Sequence, residues 1–379
     1  MLVGGGSGGH ITPLLAVANE IKKIDQKASI YYVIEKNSAF DSLVAQNSNF
    51  EKVIHIHAGK FRRYANQSLI AKVFDVKTLF LNIRDVFYVA QGYLEARKAL
   101  KQLRPDIVFI KGGFVAVPIG LACKKLGIKY ITHDSDTVPG LANKLIADKA
   151  VLNCTGMPER FYTYDASKVT YTGIPISTDY QTVNKEQQKV FKKELNIPSD
   201  SKVVYVTGGS QGAQTVNKIV ELIAPDLLNE YKNVFLIHQT GKNNSPITTL
   251  SDDVLGRYRF EEYFVDMYKY SGAADVIIAR AGANTIAEIA AQGKAAIIIP
   301  NPYLTGSHQI ANAVFLKHAA ATVVLDESQL KETPELLLKA IEQILSDREY
   351  ANRLQTNIKT FAKPEAAKTI AKIIIEKGR

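Results

Sequence analysis

Only two cysteines, Cys123 and Cys154, occur in the 379 residues, which excludes a disulfide framework and fits a reducing compartment. Neither has metal-ligand spacing, and both sit in apolar stretches as small buried hydrophobes do. Long apolar runs are missing as well. The longest uncharged one, Gly112 to Cys123, falls well short of the ~20 residues that span a bilayer. No secretory segment is expected, because the first residues turn directly into a glycine loop. Low-complexity tracts, short-period repeats and the aromatic-basic repeats that stack nucleic-acid bases are all absent. What is present is ordinary for a globular protein, 46% hydrophobic and 22% charged, at a length sufficient for two domains. A net charge of +10 points to an anionic partner, whether phosphate-bearing substrate, nucleic acid or acidic membrane.

Short apolar runs alternate with longer amphipathic ones, the pattern of α/β domains with parallel sheets covered by helices on both faces. The runs predict strands at Met1–Val3, Ile30–Ile34, Ile107–Ile110, Lys129–Thr132, Ala150–Asn153 and Val169–Thr172. A second series follows at Val203–Thr207, Val234–Gln239, Tyr258–Glu262, Val276–Ala279, Ala296–Pro300 and Ala321–Leu325. Each series opens with a strand, a glycine loop and a helix, so the chain reads as two nucleotide-type domains. Pro175 and the polar run in "TGIPISTDYQTVNKEQQ" mark the break, and "PEAAKTIAKIIIEKG" from Pro364 reads as a final helix.

The first loop is "GGGSGGHITP", residues 4–13. Its glycines allow positive φ and let backbone N–H groups approach an anion. Thr12 and Pro13 fit the N-cap and N1 positions of a helix starting there, whose free N–H groups favour a phosphate. His10 lies at the rim of the turn, where an imidazole suits a general base on a substrate hydroxyl. The second loop, "VTGGSQGAQTVNKIV", offers Ser210 and Gln211 as side-chain donors. It is no Walker loop, and neither loop meets the full dinucleotide fingerprint, which argues against a nicotinamide-dependent dehydrogenase. In "ADVIIARAGANTIAEIAAQGKAAIIIP" a strand ends at Arg280, a small turn follows, and a helix starts near Asn284 with Glu288 one turn in, able to accept from a ribose diol. "YLTGSHQIANAVFL" puts His308, Gln309 and Asn312 at another helix start, polar groups suited to a sugar.

"GGSGGH", "GGSQGA", "RAGANTIAEIAAQGK" and "HQIANA" occur in the order and spacing of the MurG family, which this chain resembles over nearly its whole length. "KGGFVAVPIGLA", "THDSDTVPGLANKLIA", "TGIPI", "HQTGK" and "FVDM" extend the likeness. The family comprises UDP-N-acetylglucosamine transferases that convert lipid I to lipid II in peptidoglycan synthesis. The resemblance implies a GT-B fold: two Rossmann-like parallel-sheet domains facing across a cleft. Residues 1–174 with 362–379 would form an N-terminal domain for the lipid-linked diphosphate acceptor and the membrane, and residues 175–361 a C-terminal domain for UDP-GlcNAc. It further implies that Val265 reads uracil through its backbone and Glu288 holds the ribose, while Ser210, Gln211, Arg280, Ala283 and Asn284 serve the donor side. His308 and Gln309 stand where the family has two glutamines that read the transferred sugar. Gly5, Gly6, Ser7, Gly8, Gly9, Gly112, Gly113 and Phe114 would lie on the acceptor side, with His10 as the base and Asp136 as the alternative. Neither cofactor nor metal is expected; "DSD" at 134–136 only mimics a metal-binding Asp-x-Asp. Departures from the family are "HDSD" for HEQN and "GIPIS" for GNPVR, with Ile174 and Ser177 at two polar positions, one an arginine that would have contacted phosphate.

From Lys60 to Arg104, ten Lys and Arg face three acids. Val73, Val76, Phe80, Ile83 and Phe87 form a helical stripe read as a core face. Phe74, Leu81 and Tyr88, flanked by Lys77 and Arg84, form a second stripe suited to docking on an anionic membrane. The expected activity is therefore inverting, metal-independent transfer of N-acetylglucosamine to the C4 hydroxyl of lipid-linked N-acetylmuramyl-pentapeptide, by a peripheral enzyme at the cytoplasmic face of a bacterial plasma membrane, without nucleic acid. The alternative is a related UDP-sugar transferase using another glycolipid acceptor. A non-catalytic nucleotide-binding scaffold would be expected to lose the pair His10 and Glu288, and both are present.

Overall fold

The computed structural model describes residues 1–60, 76–209, 212–242, 250–303 and 306–379. Met1–Ser177 together with Lys363–Arg379 form one compact unit, and Thr178–Ala362 form another. In the first unit seven strands make one sheet among the described residues: β1 Leu2–Gly4, β2 Tyr31–Glu35, β3 Lys52–Ile56, β4 Val108–Gly112, β5 Tyr130–Asp134, β6 Leu152–Thr155 and β7 Val169–Tyr171. Their order is β3-β2-β1-β4-β5-β6-β7, with every pair parallel. β4 and β5 are buried along their whole length, as strands sandwiched between helical layers must be. β3 was not among the expected strands. It lies at the sheet edge, and in "KVIHI" only Ile56 is fully buried, so it lacks the continuous apolar run of a central strand.

The second unit holds β8 Lys202–Thr207, β9 Val234–Gln239, β10 Tyr258–Glu261, β11 Val276–Ala279, β12 Ala296–Ile298 and β13 Val323–Val324. These are parallel in the order β10-β9-β8-β11-β12-β13. In each sheet the strand order reverses beside the first strand of the series, and a glycine turn sits at that reversal. Gly4 of β1 pairs with Gly112 of β4, and Thr207 of β8 pairs with Ala279 of β11. Open parallel sheets bind ligands at such points, outside the carboxyl ends of the strands.

The last helix, Ala366–Gly378, belongs to the first unit and packs on the helix Gly8–Ile24. Ala367, Ile370, Ala371 and Ile374 join Leu14, Val17, Ala18 and Ile21 in one core cluster; burying each isoleucine contributes ~1.5–3 kcal/mol.

The helix Val76–Leu103 reverses one expectation. Its inner face carries Asp85, Gly92, Ala96 and Leu100, whereas Phe80 and Phe87 are 67% and 68% exposed and Ile83 is 49% exposed. The stripe expected in the core thus faces solvent, while Leu81 and Tyr88 of the second stripe are half-buried. Close backbone approach selects the inner face: a β-carbon on Gly92 would lie 1.8 Å from His57 O, and one on Gly59 would lie 2.1 Å from Asp85 O. Val73 and Phe74 lie outside the described residues, as do the side chains of Val76 and Lys77. Among the described residues no helix is long and apolar enough to cross a membrane.

Candidate active site

In the first unit β1 ends at Gly4, and the helix begins at Gly8 with Ser7 as an extended N-cap. The expected start, with Thr12 as N-cap and Pro13 as N1, is therefore five residues late, and Pro13 lies inside the helix. Pro13 lacks only the one N–H that would have bonded back to Gly9, and Thr12 Oγ1 donates to Gly8 O at 3.1 Å. The turn is tightly packed. Gly6 adopts φ 82°, and a β-carbon there would lie 2.6 Å from the Phe114 ring. The Gly6 N–H is already engaged: it donates to both carboxylate oxygens of Glu35, at 3.1 and 3.2 Å, and Ser38 Oγ donates to Oε1 at 2.7 Å. Glu35, at the end of β2, was not foreseen.

His10 lies in the first turn of the helix, half-buried, with its ring against Gly112 and Gly113. Both glycines have positive φ, 116° and 76°, and a β-carbon on Gly113 would lie 2.6 Å from Gly5 O. His10 Nδ1 is buried without a partner. Burial first, then the charge of Lys111, hold the imidazole down to about 3, with the Lys111 backbone opposing them. Lys111 itself is fully buried and donates to Ser135 Oγ; burial lowers its ammonium to about 8 against the pull of Asp136 and Asp134.

The "HDSD" segment is ordered by its own unit. His133 Nε2 donates to Gly173 O at 2.9 Å, leaving Nδ1 buried and unpartnered. Burial raises the Asp134 carboxyl, although it accepts from the Gly140 N–H at 2.9 Å and Tyr164 OH at 2.7 Å. Tyr162 OH donates to Asp136 O at 2.7 Å, and the Asp136 side chain stays half-buried at the strand end. Ile174, one of the departures, is buried where a β-carbon on Gly156 would meet it at 2.5 Å.

In the second unit Ser210 and Gln211 lie outside the described residues. The rest of their turn is described: Gly209 and Gly212 take φ 72° and 71°, and the helix Gln214–Glu230 follows. Across the strand reversal the helix Ala283–Gln292 starts after an extended Gly282, with Asn284 half-buried at its first turn. Glu288 sits one turn further on. Tyr180, Tyr205 and Tyr263 each feel its charge, and burial raises its carboxyl to about 8. Tyr205 is almost fully buried.

Val265 is 75% exposed on a loop pinned by Phe264, whose N–H donates to Gln239 Oε1 at 3.3 Å and whose ring stacks on Tyr270. Arg280, expected on the donor side, commits its guanidinium to Glu327 Oε2 at 2.5 Å and Ile299 O at 3.1 Å. It clamps the strand ends rather than reaching outward. Asn312 is likewise buried and donates to Ala281 O at 3.1 Å, so it supports the turn before Glu288 instead of presenting to a sugar. Gln309 Oε1 accepts from the Asn301 N–H at 2.9 Å, and His308 opens the helix His308–His318 after Ser307, which has φ 52°. Sequence reasoning missed Glu35, Lys111 and the three tyrosines, although Lys111 opens "KGGFVAVPIGLA", Tyr263 directly precedes "FVDM" and Tyr205 lies in the strand before the second loop.

Two parallel-sheet units, each with a glycine turn at its strand reversal, define the class. Residues 1–151 match the glycosyltransferase family 28 N-terminal domain and residues 203–370 its C-terminal domain, so this is a glycosyltransferase of the GT-B type. The chain is 34% identical over 375 residues to a UDP-N-acetylglucosamine–N-acetylmuramyl-(pentapeptide) pyrophosphoryl-undecaprenol N-acetylglucosamine transferase of Borrelia garinii, covering 98% of this chain and 95% of that one. The transferase of the same name from Caldicellulosiruptor saccharolyticus is 33% identical, with 98% and 96% covered. The chain belongs to the MurG family. Among solved structures, Acinetobacter baumannii MurG superimposes with a TM-score of 0.72 at 24% identity, each chain 99% covered. A Neisseria meningitidis UDP-GlcNAc 2-epimerase bound to UDP-GlcNAc gives 0.64 at 13%, with 99% of this chain and 98% of that one covered. The same architecture thus serves transferases and epimerases, and fold alone does not choose the reaction.

Proposed function

We propose that this protein transfers N-acetylglucosamine from UDP-GlcNAc to the C4 hydroxyl of undecaprenyl-diphosphate-linked N-acetylmuramyl-pentapeptide, with inversion at C1 and release of UDP. The observation that carries this reading is the 33–34% identity to transferases of that name over nearly the full length, spanning both units. The first unit takes the lipid-linked acceptor and the second the nucleotide sugar. In the second unit the Val265 backbone reads uracil, Glu288 accepts from the ribose hydroxyls, and Ser210, Ala283 and Asn284 hold the diphosphate. His308 and Gln309 read the sugar. The macrodipole of the helix Ala283–Gln292 stabilises charge on the departing UDP, a task that a metal would otherwise serve.

In the first unit His10 is the base. An imidazole held at about 3 by burial and Lys111 is neutral and able to accept a proton, but it holds that proton weakly. The acceptor's diphosphate supplies the neighbouring negative charge that raises its affinity. Peripheral attachment to an anionic membrane runs through the exposed face of the helix Val76–Leu103, at the cytoplasmic side where the nucleotide sugar is available.

The test is UDP release from UDP-GlcNAc with a lipid I analogue, with diacylglycerol, or with neither, each in EDTA. Release is expected only with the muramyl lipid and unaffected by chelation, and His10→Ala is expected to lower turnover ~10²–10⁴-fold. Release driven by diacylglycerol alone would replace the acceptor, and no release with either lipid would sink the reading.

A further inference from the structure

We propose that Glu35 determines which phosphate ligand the first glycine turn accepts, by occupying the turn's Gly6 N–H with its carboxylate. The contact is built rather than incidental. Both oxygens receive the Gly6 N–H, at 3.1 and 3.2 Å, and the Ser38 hydroxyl fixes Oε1 at 2.7 Å. Gly5 must be glycine for the carboxylate to fit, since a β-carbon there would lie 1.9 Å from Oε2. Phe114 closes the other side of Gly6.

A glycine turn at a strand reversal normally offers such an N–H to a deeply seated nucleotide pyrophosphate. Here the Glu35 carboxylate fills that place, and a second anion there meets like-charge repulsion. Gly4, Gly5, Gly8 and Gly112 are buried, whereas Gly6, Ser7, Gly9, His10, Gly113 and Phe114 are half-buried and reach the surface. A polyphosphate ligand of this unit therefore seats on that outer rim, beside His10, and pays an electrostatic cost for its nearness to Glu35. Glu35 thus excludes a free nucleotide from the first turn and leaves room only for a diphosphate that other contacts, such as an attached lipid and sugar, hold in place. This rests on the assignment of the acceptor to the first unit.

Glu35→Gln keeps the shape and an accepting oxygen but removes the charge. With a lipid I analogue and UDP-GlcNAc as substrates, the ratio of acceptor KM to donor KM is expected to fall about ten-fold, and the difference from wild type should shrink as salt rises. Ser38→Ala, which leaves the charge but unties it, is expected to move the ratio the same way by about two- to three-fold, and it decides the matter if the glutamine variant fails to fold. An unchanged acceptor KM in a folded variant would overturn the inference while leaving the acceptor assignment intact. A fall in donor KM alone would mean that the first turn holds the nucleotide, and would overturn that assignment instead.

Discussion

Glu288 is a carboxyl among phenols. Tyr180, Tyr205 and Tyr263 each feel its charge, and burial lifts it to about 8. In the free protein at pH 7 it is therefore mostly protonated. A ribose diol donates two hydrogen bonds and favours the ionised form, so UDP binding should expel a proton. Titration calorimetry at pH 7 in buffers of different ionisation enthalpy is expected to show release of a proton, UDP affinity to rise with pH through about 8, and Glu288→Gln to abolish both effects. Proton-neutral binding by wild type would remove Glu288 from the ribose. For stability the sign is opposite: with its affinity for protons raised above the usual 4.5, this group favours the fold most at acid pH and loses that contribution as pH rises through about 8. The position of Glu288 was legible, because a strand, a small-residue turn and a helix fix it one turn in. The phenols were not, since Tyr180, Tyr205 and Tyr263 come from three distant segments and converge only in the folded unit. The same holds at the first turn, where Gly6 could be anticipated but its partner Glu35, on the next strand, could not.

Among the elements, the helix Val76–Leu103 shows how a hydrophobic period can mislead. Phe80, Ile83, Phe87 and Leu94 recur at helical spacing, the usual mark of a core face, yet they are exposed. The buried side is set instead by Gly92 and Ala96, small residues whose importance lies in what can approach them. Amphipathicity told that one side was apolar, and only packing told which side was inside. Lys98 and Lys101 continue the exposed line and are themselves exposed. An apolar ridge ending in cations fits the interface of an anionic bilayer. The double variant Phe80→Ser, Phe87→Ser is expected to lower the fraction that floats with anionic vesicles about ten-fold while leaving the melting temperature unchanged, because neither ring is in the core. Binding to neutral vesicles should be weaker and less salt-dependent. Equal flotation of wild type and variant would remove this face from membrane attachment.

For the whole molecule, the two-unit plan was legible because each series of strands begins with its own strand, glycine turn and helix; that Gly4 and Thr207 each end a strand at a reversal of order emerges only in the folded sheets. What the plan does not reveal is how each unit answers acid. His133 is buried in the first unit and His238 in the second, and His10 is half-buried with its ring packed on Gly112 and Gly113. Burial lowers all three, His10 to about 3, His238 to about 4 and His133 well below its usual value. His238 sits in a hydrogen-bonded chain, with Tyr258 OH 3.0 Å from Nδ1 and Asn217 Oδ1 3.0 Å from Nε2, an arrangement that a neutral ring satisfies. The unfolded chain binds protons at histidine from about 6.5 downward and the folded chain does not, so stability is full above that value and declines as pH falls toward 4. Lys111 and Lys294, held to about 8 and about 7, act only at higher pH, and Glu288 opposes the trend with a single group. Both units should therefore lose stability together before ordinary carboxylates titrate. Thermal melts are expected to show a fall of at least ~5 °C between pH 6.5 and 4.5, with His238→Gln reducing the fall in the transition of the second unit. A melting temperature that stays flat across that interval would mean that the three imidazoles find proton partners in the folded protein, and would also remove the ground for treating His10 as neutral before the acceptor arrives.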